Sequence, residues 1–162
     1  MHTLLCKRDV NDVGPTASVV SCEVRPTMSG MPPRRRVPVA AGRAALTSWV
    51  ADPASADRPT TALAVRFTLE ELGIRAPGRS VEVRVPPFGV VQCVEGLQHR
   101  RGTPPNVIET DAATWLALAV GHEGPAEAAG EGRLRVSGTR ADLTAYLPLF
   151  PDHSGGPDEE TS

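Results

Sequence analysis

The chain has 162 residues, 40% hydrophobic and 22% charged, with a formal net charge of -2 and a pI near 6.1. That length fits one domain of ordinary size. No stretch approaches the ~20 apolar residues of a membrane span, and the near-neutral charge excludes whole-domain nucleic-acid binding as the default. With 15 Gly, 16 Pro and only 4% aromatics, the folded part is shorter than the chain and its core rests on Val, Leu and Ala.

Residues 1–38 show no sustained period of 2 or 3.6 and end in Pro32-Pro33-Arg34-Arg35-Arg36-Val37-Pro38. They are assigned as a leader without a fold. Two readings of 1–27 stay open: an artefact of start-site choice, with the natural start at Met28 or Met31, or a genuine disordered tail. Cys6 and Cys22 fall in this leader and Cys93 in an apolar run. An odd count without C-x-x-C argues against a disulfide framework, and the expected compartment is the reducing cytoplasm.

The first predicted element is a helix over about 40–51, where Ala41, Ala45 and Trp49, with Leu46 and Val50, form one apolar stripe. A second helix runs from about Pro59 to Leu72, capped by Asp57 and ended by Gly73. The period then switches to two. Val81, Val83 and Val85 alternate with Glu82 and Arg84 as a half-buried strand, and Pro86-Pro87-Phe88-Gly89 turns into a second strand over Val90 to Glu95. So short a connection requires an antiparallel hairpin.

After the polar loop His99 to Pro105, Asn106 to Thr110 reads as a third strand. Asp111 or Thr110 caps a helix over about 112–120 that carries Trp115, Leu116 and Leu118 and ends at Gly121. Residues 126–130 add a short helical turn. In 132–138 Leu134 and Val136 point one way and the arginines the other. Thr139-Arg140-Ala141-Asp142 has the spacing of a capping box, which predicts a last helix with Leu143 and Leu147 buried and Pro148 as its stop. The acidic tail carries Asp152, Asp158, Glu159 and Glu160. The expected organisation is a leader over 1–38, a domain over 39–149 and an acidic, disordered tail over 150–162. The four predicted strands and their helices place the fold in the α+β class, with helices packed on one face of the sheet.

Catalytic templates fail on this sequence. It has no G-x-S-x-G elbow, no P-loop and no G-x-G-x-x-G after a strand. His2, His99, His122 and His153 share no helix face, so no metal site is expected. Cys93 on an apolar strand reads as a small hydrophobe, and Asp111 and Asp142 read as helix N-terminal residues rather than an acid/base pair. Arg34-Arg35-Arg36 reads as a solvated leader. Within the loop, His99-Arg100-Arg101 reads as a solubilising segment that could also meet an anionic head group. An apolar interior with almost no bond-breaking candidate fits a small-molecule carrier or an interaction module better than an enzyme.

Three stretches resemble the bacterial, actinobacterial branch of the sterol carrier protein 2 family. They are Val81-Glu82-Val83-Arg84-Val85-Pro86-Pro87-Phe88-Gly89-Val90-Val91-Gln92-Cys93, the run from Arg101 through Asn106-Val107-Ile108-Glu109-Thr110-Asp111, and Gly132-Arg133-Leu134-Arg135-Val136-Ser137-Gly138 with the following Thr139 to Leu143. The resemblance implies a mainly antiparallel five-stranded sheet with helices on one face, the fifth strand lying within 37–40 or 96–98. It also implies an apolar tunnel for a sterol, fatty acid or acyl-CoA, and a mechanism of sequestration without catalysis, cofactor or metal. The lining expected on that basis is Val83, Val85, Phe88, Val91, Trp115, Leu118, Leu134, Val136 and Leu143, with Arg100 and Arg101 at the head group. The expected partner is an apolar small molecule, with no nucleic acid and no integral membrane association. Two alternatives remain: an accessory domain related to that of mycothiol-dependent maleylpyruvate isomerase-type enzymes, and a protein-interaction module without ligand.

Overall fold

Helix α1 (Val39–Ala51) opens the fold in the computed structural model, which describes residues 35–96 and 106–153. All of these lie in the compact unit Met31–Ser162, and the unit Met1–Gly30 falls outside them. Pro38 gives α1 no side-chain cap. Its entry is held instead by Glu70 of the next helix, whose carboxylate accepts from the backbone N–H groups of Arg36 and Val37 at 3.0 and 3.1 Å. Helix α2 (Arg58–Arg75) starts where the sequence predicts, with Asp57 accepting from Thr60 N–H at 2.8 Å and Pro59 in the first turn. The pairing of α1 with α2 depends on Gly42: a Cβ there would stand 2.3 Å from the Phe67 ring.

Helix α2 does not stop at Gly73. The backbone continues to Arg75, with Ala76 N–H donating to Leu72 O at 2.8 Å and Arg75 pairing with Glu71 one turn back. A glycine inside a helix costs only about 1 kcal/mol, which packing of the buried Leu72 and the ion pair offset.

Strands β1 (Val81–Val85) and β2 (Gly89–Cys93) form the expected antiparallel hairpin, in the register Val83 to Val91. Strand β2 ends two residues earlier than predicted. Val94 takes the left-handed φ of 60°, where its N–H donates to Ala76 O and its carbonyl accepts from Ser80 N–H. A β-branched residue there is strained, and those two bonds hold it. Strand β3 (Asn106–Thr110) adds to the other edge of β1, parallel to it, and β4 (Leu134–Ser137) closes the sheet antiparallel to β3. The strand order is β2-β1-β3-β4. The described residues thus form four strands, with the central pairing parallel. The candidate fifth strand at 37–40 is instead the entry to α1. Residues 97 and 98 lie outside the described residues.

Helix α3 (Ala112–Val120) carries both predicted terminal signals. Asp111 accepts from Thr114 N–H at 3.0 Å, and Gly121 ends the helix at φ 83°, left-handed as a glycine there permits. Short α4 (Pro125–Gly130) follows. Val81, Val83 and Val85, fully buried, face Phe67, Leu72, Trp115 and Leu116 of the same core cluster, while Glu82 and Arg84 stay on the half-buried side.

The predicted last helix is absent. Residues 138–150 cross α3 as an irregular strap, followed by one 3-10 turn, Pro151–His153. Between Asp142 and Pro148 there is room for one turn: Tyr146 and Leu147 N–H groups both reach Leu143 O, at 2.9 and 3.1 Å. A lone turn does not repay helix nucleation, and the residue before a proline avoids the helical region. The strap is tied at both ends. Arg140 N–H donates to Asn106 Oδ1, and Leu149 and Phe150 N–H groups both donate to Ala119 O. Phe150, one residue beyond the expected domain, is buried and stacks on Phe67 at 5.3 Å between ring centroids; Val37, two residues before it, is buried as well.

Candidate functional site

The strap forms one wall of an apolar cleft of about 200 Å³. Its floor is Trp115 and Leu118, one turn apart on α3. Ile108 of β3 and Val136 of β4 are register partners, so with Leu134 they present one face to the cleft. Pro125, Ala126 and Ala129 of α4 border it with small side chains, and Ala141, Leu143 and Leu147 close it from the strap. Its exposed lining residues are Val136, 48% exposed on the edge strand, Ala126 and Ala129 of α4, and Asp142 and Thr144 of the strap.

The polar atoms of the lining are few. Trp115 is fully buried, and its Nε1–H donates to Thr68 Oγ1 at 2.8 Å; the Thr68 hydroxyl in turn donates to Ala64 O. At the rim, Asp142 Oδ1 accepts from both the N–H and the hydroxyl of Thr144, at 2.8 and 2.6 Å. Those two bonds, the hydroxyl's first, hold the Asp142 carboxyl below the ordinary value of 3.8, so it is ionised at neutral pH. Asp142 therefore caps no helix. It stabilises a local turn of the strap, and it is the one ionisable side chain lining the cleft among the described residues.

Of the lining expected from the sequence, the structure brings together Trp115, Leu118, Leu134, Val136 and Leu143. Val83 and Val85 lie elsewhere, fully buried in the packed core under the helices. Phe88 and Val91 border a separate groove of about 350 Å³ between α2 and the β2 edge, where Arg66 Nε–H donates to Phe88 O. Arg100 and Arg101 lie outside the described residues. Sequence reasoning missed Ile108, the alanines of α4 and the polar rim. Ile108 was legible from its place in a predicted strand. The alanines carry no signal, because their role is to leave space.

Other clusters have structural explanations. An opening of about 370 Å³ is bordered by Glu109, Asp111, Arg133 and Arg135. Arg133 there is bound by Glu123 and Glu131 and also donates to Thr114 Oγ1. Asp111 is committed to the α3 cap: burial works to raise its pKa, but the Thr114 hydrogen bonds prevail and hold it low. Cys93 is buried, and loss of water pushes its thiol up to about 12, so it remains a neutral small hydrophobe at neutral pH.

The sequence pattern of the family described as bacterial SCP ortholog matches residues 57–149, more than half of the chain. The chain belongs to this family. The match begins at the Asp57 cap of α2 and ends at Leu149, where the strap bonds to Ala119. It therefore takes in every wall of the cleft. No curated protein matches the chain. Among the described residues, no helix is long and apolar enough to cross a membrane.

Proposed function

We propose that this member of the bacterial SCP ortholog family is a non-catalytic carrier that holds the apolar part of a lipid-like or acyl ligand in the cleft between α3, α4, β3, β4 and the strap. The observation that carries the reading is a partly enclosed apolar space of about 200 Å³ walled by five separate elements of the family's matched region. An engineered apolar cavity of about 150 Å³ takes up benzene, so this one has room for a ring or the end of a chain. Drug-sized sites begin at roughly 300 Å³, so the rest of a long ligand would emerge into solvent. Removing about 200 Å² of ligand surface from water contributes on the order of 5 kcal/mol before the costs of association.

Sequestration needs no bond-breaking group, and the lining offers none in a productive arrangement. Its single carboxylate accepts from the Thr144 N–H and hydroxyl, and its indole N–H is already bonded. We place the carrier in the cytoplasm, where its three cysteines would stay reduced. The test is titration with a neutral fluorescent probe, N-phenyl-1-naphthylamine, alongside native mass spectrometry of the purified protein. The expected result is saturable binding of one probe per chain and displacement by apolar competitors. Absence of saturation, with no co-purifying apolar molecule, would leave the domain as an interaction module.

A further inference from the structure

We infer that the cleft selects ligands whose polar end donates a hydrogen bond and carries no negative charge, an alcohol or an ammonium head rather than a carboxylate. This rests on the carrier reading above and concerns the same cleft. The reason is the inventory of side-chain polar atoms around it. Trp115 Nε1–H, the indole donor of the lining, is spent on Thr68 in the buried interior. The Thr144 hydroxyl hydrogen is spent on Asp142 Oδ1 at 2.6 Å, which leaves Thr144 Oγ1 only as an acceptor. Asp142 is an ionised carboxylate and accepts only, and its Oδ2 has no protein donor among the described residues. The side chains of the rim thus offer acceptors and one negative charge.

A ligand O–H or N–H⁺ satisfies those acceptors, and a carboxylate meets like charge and, among the described residues of the lining, no side-chain donor. The neighbouring cations among the described residues do not reverse this. Arg133 is held by Glu123 and Glu131. Arg135 alternates to the other face of β4 from Leu134 and Val136 and borders the polar opening instead. Arg140 is exposed and is not among the residues that line the cleft.

The experiment compares decanol, decylammonium and decanoate, three heads on one chain, by amide chemical-shift titration of the full chain at neutral pH. Wild type should bind decanol and decylammonium at least about threefold tighter than decanoate, the scale of an exposed charge interaction. In Asp142→Asn the advantage of decylammonium over decanoate should shrink by about threefold to fivefold, with the thermal midpoint unchanged. Arg140→Gln should leave the order of the three ligands as it is in wild type. Decanoate binding as tightly as the other two, or Asp142→Asn leaving the advantage of decylammonium over decanoate undiminished, would overturn the selection while the carrier reading stands. Failure of all three to saturate would remove the carrier reading and the selection with it.

Discussion

The two flanks of α3 are built on opposite principles. Toward α2 the helix is sealed: Trp115 and Leu116 are fully buried, Thr68 and Trp115 satisfy each other at 2.8 Å, and Phe67, Leu72 and Val83 fill the space around them. Toward α4 and the strap the same helix faces alanines, a half-exposed valine and about 200 Å³ of open space. Large residues on one side and small ones on the other let one short helix close a core and border a cleft. Trp115 takes part in both, anchored by its nitrogen on the sealed side while its ring floors the open one.

Mutations on the sealed flank should therefore cost far more than mutations on the open one. Trp115→Ala should destabilise most, by about 3–5 kcal/mol, read by denaturant titration. A loss below about 1 kcal/mol would mean that the sealed flank is not packed as described. Thr68→Val comes next. It keeps the shape but leaves the buried indole N–H without an acceptor, at a cost of about 1–3 kcal/mol, and Trp115→Phe in the same background should recover part of it.

The two aspartates sharpen the contrast. Asp111→Ala removes a true helix cap and should cost about 0.5–2 kcal/mol, whereas Asp142→Ala removes only the two Thr144 bonds of an exposed turn and should lower the thermal midpoint by less. The pH dependence of Asp111 has a defined sign. Its folded carboxyl lies below the ordinary value of 3.8, so its contribution is complete above that pH and is lost as pH falls through the folded value. Asp111→Asn keeps a competent cap and should flatten the stability profile below pH 3.8 relative to wild type.

The contrast between flanks also explains what was legible in the sequence. Caps and periods are local. Asp57 and Asp111 announced their helices, Gly121 its stop, and the alternation at Val81, Val83 and Val85 its strand, because each signal lies within a few residues of its effect. The Thr68–Trp115 pair spans 47 residues, the contact of Gly42 with Phe67 joins two helices, and the parallel pairing of β1 with β3 crosses a hairpin and a loop. None of these has a local signature. The capping-box spacing at Thr139 to Asp142 misled because a start signal says nothing about whether a helix has length to grow. Pro148 left too little, and the stretch became the strap that walls the cleft. Trp115 and Leu118 on a helix, Leu134 and Val136 on a strand, and Leu143 were visible as apolar positions. The rest of the wall includes Ala126, Ala129 and Ala141, where what matters is volume not occupied.

That unoccupied volume is the most direct place to test the account. Ala129 borders the cleft from an exposed position on α4, so a larger side chain there can fill the cleft without entering the sealed core. The measurement is the dissociation constant of the neutral naphthylamine probe for wild type and Ala129→Trp, taken with the thermal midpoint of each. Probe affinity should fall at least about tenfold in Ala129→Trp, with the midpoint held or raised. Undiminished probe binding in a folded Ala129→Trp protein would contradict it.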